Sequence, residues 1–176
     1  KMVGRGSEAV EVGRVDRFRL SGATPGAPVA QIFGRMRLGG QVIWATQFKE
    51  TVTVTTTTNG GGGGGKGAPS QPQVTTTTTS YDYSISLACA LCEGPILRVG
   101  RIWADGMELA PESLTLRVYK GSEDQLPDPR MEAVEGAGQV PAYRGIAYVV
   151  IEDLDLGPFG NRVPQFSFEV MRVAQP

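Results

Sequence analysis

Two threonine-rich stretches, Thr51 to Thr58 and Val74 to Ser80, hold 11 of the chain's 14 threonines and flank six consecutive glycines, Gly60 to Gly65. Threonine is β-branched and favours extended backbone. The stretches therefore read as two strands joined by a flexible tip, Asn59 to Gln73. Such a hairpin has almost no apolar face to bury. A lone two-stranded ribbon is marginal in water, and its register is weakly specified without a buried side. It is ordered only where other strands or subunits complete it. Two readings follow. One is a disordered surface loop. The other is an extended arm inserted between protomers of an oligomer, with Thr55, Thr56, Thr57, Thr58, Thr75, Thr76, Thr77 and Thr78 as its contact residues. At about 3.3 Å per residue the arm reaches roughly 25 Å before the tip.

The rest of the chain also alternates with the period of strands. Residues 1 to 9 read as a loose lead-in, and Val10 to Leu20 as the first strand. Ile32 to Leu38 and Gln41 to Phe48 read as a hairpin about Gly39-Gly40, because glycine tolerates the positive φ of a two-residue turn. Trp44 is the expected core anchor of that hairpin. Tyr81, Tyr83, Ile85 and Leu87 alternate with Asp82, Ser84 and Ser86, a half-buried strand that Glu93-Gly94-Pro95 breaks. Asp105-Gly106 is a strong turn signal between Ile96 to Ala104 and Met107 to Leu109. Leu114, Leu116 and Val118 mark another strand. Pro129 to Glu135 predicts a short helix ended by Gly136. Ile146 to Ile151 is apolar throughout and reads as a strand buried on both faces, and Phe166, Phe168 and Val170 close the pattern. The expected fold is all-β and mainly antiparallel, with one short helix and the long Thr/Gly-rich hairpin arm. The chain divides into N-terminal strands at 1–50, the arm at 51–80 and the β-rich remainder at 81–176.

Several chemistries are excluded or weak. No histidine is present, so no Ser-His-Asp triad, Cys-His pair or His-ligated metal can be built from this chain alone. Lys and Arg number 17 against 18 Asp and Glu. That lacks the basic bias of a protein that works by neutralising phosphates, and sequence-specific nucleic-acid binding is not expected. No apolar run is longer than that of Ile146 to Ile151, which is far short of the roughly 20 residues of a membrane span. Gly60, Gly65 and Lys66 fit part of a phosphate-loop frame, but Gly67 stands where Ser or Thr would hold magnesium, and Pro69 and Pro72 prevent the helix that should follow. Cys89 and Cys92 form a C-x-x-C without a second pair. They read as buried thiols, with a cluster completed by other subunits as the alternative. Glu152, Asp153 and Asp155 read as a solvated strand end; the other reading is an acidic site for a metal or for acid–base chemistry. Beginning at Lys1, the chain reads as an excerpt or a processed product.

Longer motifs carry a resemblance. Tyr-Ser-Ile-Ser-Leu-Ala-Cys-Ala-Leu-Cys-Glu-Gly-Pro-Ile at 83–96 and Gly-Arg-Ile-Trp-Ala-Asp-Gly at 100–106 resemble the large tail-tip protein of phage-like particles. So do Tyr-Lys-Gly-Ser-Glu-Asp-Gln-Leu-Pro-Asp-Pro at 119–129, Pro-Ala-Tyr-Arg-Gly-Ile-Ala-Tyr-Val-Val at 141–150 and Phe-Gly-Asn-Arg-Val-Pro-Gln at 159–165. Gly-Arg-Val-Asp-Arg at 13–17 and Gly-Gln-Val-Ile-Trp-Ala at 40–45 fit the same family's amino-terminal hub region. The family is the baseplate "megatron" group of gene transfer agents and siphophages, more distantly similar to the host-specificity J protein of lambda-like phages. The resemblance implies a tail-tube-like barrel and a homotrimeric baseplate hub in the particle's tail. The hub would join the tail tube and distal tail ring to the tail tip for host attachment and DNA delivery. Its partners would be the distal tail, other baseplate proteins and the remainder of a longer parent polypeptide. The resemblance supplies no catalytic, metal or cofactor residues and implies no enzyme. The alternative is a secreted or surface β-sandwich that binds carbohydrate or a receptor, with Trp103 and the acidic group near Asp153 exposed.

Overall fold

The computed structural model describes residues 7–14, 28–59 and 74–173. Among them run ten strands and one α-helix: β1 (Ser7–Val12), β2 (Gly34–Gly39), β3 (Gln41–Ala45), β4 (Lys49–Asn59), β5 (Val74–Glu93), β6 (Arg98–Ala104), β7 (Met107–Leu109), β8 (Thr115–Lys120), α1 (Pro129–Glu135), β9 (Ile146–Asp155) and β10 (Phe166–Arg172). The 20-residue β5 is the spine; at about 3.3 Å per residue it is about 65 Å long. Its first half pairs antiparallel with β4 and, on its other side, parallel with β1. Its second half pairs antiparallel with β3 and β9, and β8 extends the sheet beyond β9. A second sheet, β2-β10-β6-β7, is antiparallel throughout.

Side chains alternate along a strand, and this decides the layering. Tyr83, Ile85, Leu87, Cys89 and Leu91 of β5, with Val149 and Ile151 of β9, face Ile102, Phe166, Phe168 and Val170 of the second sheet and form the main core. Ala88, Tyr148 and Val150 point the other way and are covered by Met131 of α1 and by Val140. β9 is thus buried on both faces from Ala147 to Ile151, which accounts for the apolar run there. Burying each large apolar side chain contributes about 1.5–3 kcal/mol. The two sheets are stacked and open, not closed on themselves among the described residues. The all-β class holds, but the architecture is a sandwich and not the barrel the resemblance implies.

The helix spans Pro129–Glu135 with Gly136 at its C-terminal cap, as the sequence predicts. The Asp105-Gly106 turn joins β6 to β7, with both residues at positive φ. Other expectations are corrected. Gly39-Gly40 is not a hairpin turn: β2 pairs with β10 in one sheet and β3 with β5 in the other. The pair marks the corner where the chain crosses between sheets. A Cβ on Gly40 would stand 2.7 Å from Phe168 Cε2 and 3.0 Å from Cys89 Cβ, so glycine is needed there for close approach. Trp44 packs in the smaller cluster beneath α1, not in the main core, and its Nε1 donates to Glu135 Oε1 at 2.8 Å. Ser7 to Ala9 belong to β1 and are not a loose lead-in. The expected strand from Val10 ends at Val12, and its part over residues 15–20 lies outside the described residues. So does the phosphate-loop-like frame at Gly60, Gly65 and Lys66.

Candidate interaction surfaces

The threonine stretches pair in register, Thr55 with Thr78, Thr56 with Thr77, Thr57 with Thr76 and Thr58 with Thr75. The predicted contact residues thus come together in one ribbon, which is three-stranded because β1 runs along the far side of β5. β5 passes from this arm into the sandwich without a break. The arm has no second layer among the described residues. All of β4 is exposed, whereas Thr75 to Ser80 in the central strand are half-buried by their two neighbours. Register places Val52 and Val54 on the face that continues the main core, beside Tyr81 and Thr79. Val10 and Val12 lie on the opposite face, beside Thr78 and Ser80. Val54 is 61% exposed and Val12 51%: both faces of the arm present apolar groups that nothing described covers.

The arm is fastened at its base. Tyr83 Oη donates to Glu50 Oε2 at 2.7 Å. Asn161, held at φ +54° after the short turn Gly157–Phe159, donates through Nδ2 to the carbonyls of Gly13 at 2.8 Å and Tyr81 at 3.2 Å. Gly13 has φ +84°, and a Cβ there would meet the Tyr81 carbonyl oxygen at 2.8 Å. Sequence reasoning missed Asn161 as an anchor; its signal was an asparagine after glycine, the residue type that best tolerates positive φ outside glycine.

The acidic group after the buried strand is largely engaged with arginine. Glu152 accepts from Arg117 Nη1 at 2.7 Å and faces Arg130 at 3.4 Å, and Asp153 faces Arg130 at 3.5 Å. Asp155 caps the next turn by accepting from the Gly157 N–H at 2.9 Å. Glu152 is therefore a member of an ion-pair network and not a freely solvated strand end. The centre of that network is Asp128, fully buried, which accepts from Arg117 Nε at 2.7 Å and Nη2 at 3.0 Å, from Tyr119 Oη at 2.7 Å, and from the backbone of Arg130 and Met131 at the start of α1. Burial pushes its carboxyl up, but these donors outweigh burial and hold it below the usual carboxylate range. The arrangement positions a helix, and it leaves no free carboxylate pair for acid–base work in this network.

Cys89 and Cys92 are both buried and unpaired. Three residues apart on a strand they should face opposite ways, but the register shift between Ala90 and Cys92 turns both into the main core. Burial pushes the Cys89 thiol up to about 12 and that of Cys92 in the same direction. Neither is poised as a thiolate nucleophile. Trp103, which a carbohydrate platform would need exposed, is buried beneath two arginines, Arg37 at 4.1 Å and Arg101 at 5.2 Å from its ring. No described helix is long and apolar enough to cross a membrane.

No protein-family model matches the chain, and no curated protein does. Among solved structures it is similar to a chain from the virion of a native gene transfer agent particle, with 52% identity, a TM-score of 0.65 and coverage of 99% of this chain. The match takes in 32% of that particle chain, so what this all-β chain resembles, nearly from end to end, is about one third of a gene transfer agent particle protein.

Proposed function

We propose that the chain is a structural segment of a gene transfer agent or phage-tail-like particle, and that its place is the baseplate hub between the tail tube and the tail tip. The observation that carries the particle assignment is 52% identity across 99% of the chain to a particle protein. The hub assignment rests on the motifs at 83–96, 100–106 and 119–129 and their resemblance to tail-tip hub proteins.

Physical chemistry supports an assembled role. The outer edge of β4 runs for 11 residues, and neither it nor the outer edge of β1 has a strand partner among the described residues. Exposed edges of this length are templates for pairing, which lone soluble proteins blunt. Copies arranged head to tail about an axis would cover such edges, and a rotation that closes gives a ring. In this reading the chain forms a homotrimer, Thr55 to Thr58 and Thr75 to Thr78 pack against neighbouring copies, and the body meets the distal tail, other baseplate proteins and the rest of a longer parent chain. The role is assembly and not catalysis. Gold-labelled antibody against this chain, applied to purified particles, tests the placement. Label confined to the tail end opposite the head is expected; label on the head, or particles without label, would reject it.

A further inference from the structure

The outer face of the four-stranded sheet gathers four arginines. Phe168 and Val170 of β10 point into the core, so Ser167, Glu169 and Met171 point outward. Register places Arg37 opposite Glu169 and Arg35 opposite Met171 on one side, and Trp103 opposite Ser167 and Arg98 opposite Met171 on the other. Glu169 organises the middle. Its side chain is 8% exposed, accepting from Arg35 Nε at 2.9 Å and Nη2 at 2.6 Å and from Arg101 Nη2 at 3.1 Å. A side chain on Gly100 would collide with this carboxylate. Arg35, Arg98 and Arg101 line a groove of about 420 Å³ beside it.

Two guanidiniums of this face, Arg37 and Arg98, have no carboxylate partner among the described residues. Both are nevertheless held. Arg37 Nε donates to Ser167 Oγ at 2.9 Å while its guanidinium lies 4.1 Å over the Trp103 ring. Arg98 Nε donates to Met171 Sδ at 3.1 Å. In each case the anchoring bond uses Nε and leaves the terminal N–H groups for a planar anion, a fork whose orientation is already fixed.

We infer that this face docks a carboxylate-bearing segment of another chain, with Arg37 and Arg98 receiving its Asp or Glu side chains. Nucleic acid is the competing polyanion, and one feature disfavours it. Trp103 is 9% exposed and its ring is covered by arginine, so it offers no face on which a base can stack. The inference goes beyond the hub reading and stands on the sheet face alone.

The test is fluorescence anisotropy of a labelled octaglutamate peptide titrated with the 176-residue chain at low ionic strength, beside a labelled oligothymidine strand and a short DNA duplex. Octaglutamate is expected to bind, to weaken with added salt, and to bind about fivefold more weakly to Arg37→Gln/Arg98→Gln, the size expected for two exposed charge pairs. Lys120→Gln, outside the face, should leave binding unchanged. Arg37→Lys/Arg98→Lys keeps the charge and loses the fork, so it should recover only part of the affinity. Absence of octaglutamate binding, equal binding by the glutamine variant, full recovery by the lysine variant, or tighter binding of either DNA would overturn the inference.

Discussion

Asn161 and Gly13 are 148 positions apart and are joined by a hydrogen bond, Asn161 Nδ2 to the Gly13 carbonyl at 2.8 Å. The same nitrogen reaches the Tyr81 carbonyl at 3.2 Å, so one amide fastens the end of β1 to the middle of β5. Replacing Asn161 by alanine removes both bonds, each worth about 1 kcal/mol net. The expected result is a loss of about 1–2 kcal/mol in urea unfolding and faster amide exchange over Ala9 to Val12, with exchange at Leu87 to Ala90 unchanged. Exchange that is unaltered over β1 would show that strand pairing alone holds it.

Asp128 carries the second prediction. Asp128→Asn removes the charge that Arg117 engages through two nitrogens and turns an NH2 group toward the Arg117 and Tyr119 donors, while its amide oxygen can still cap α1. Breaking a buried pair on one side costs about 3 kcal/mol, eased here because Arg117 keeps Glu152. A loss of about 2 kcal/mol or more at neutral pH is expected. The pH dependence has a definite sign. The folded carboxyl titrates below its unfolded value, which is about 3.9. Asp128 therefore contributes its full stabilisation above about pH 4 and loses it as pH falls through the lowered folded value. Urea midpoints between pH 6 and pH 2 should fall less steeply in Asp128→Asn than in the parent chain.

The corner glycines separate close approach from turn geometry. Gly40→Ala places a methyl group against Phe168 and Cys89, and overpacking of this kind costs about 1–3 kcal/mol. Gly39→Ala meets nothing within 4 Å and should be close to neutral. Thermal midpoints of the two variants check this; equal effects would mean that the corner relaxes.

The buried thiols should be inert. With Cys89 pushed up to about 12 and both side chains buried, a thiol reagent at pH 8 should modify the native chain only as fast as it unfolds, and both sites at once in denaturant. Rapid modification of native Cys89 would contradict its placement in the core.

Local signals were legible where one residue type decides the backbone. Pro129 and Gly136 bound the helix, Asp105-Gly106 fixes a turn, and the unbroken run Ile146 to Ile151 announces burial on both faces. Long-range partnerships were not. The parallel pairing of β1 with β5 leaves no local mark, so a two-stranded arm was expected where three strands exist. Gly39-Gly40 reads alike as a turn or a close approach until the sheet each neighbour joins is known. The expected arm residues do pair with one another. The arginine face was half visible: Arg35 and Arg37 alternate in Gly-Arg-Met-Arg-Leu, but only register brings them beside Trp103, Arg98 and Glu169. Asp128 had a signal, an aspartate directly before the proline that opens a helix; its partnership with Arg117 did not.

The most direct test of the hub reading is an electron-microscopy map of the intact particle, resolved well enough to trace this chain. Three copies about the tail axis are expected, with the β4 edge and Thr55 to Thr58 of each copy in contact with a neighbouring chain. A map in which the chain lies away from the tail tip, or in which the arm projects into solvent and touches no other chain, would contradict it.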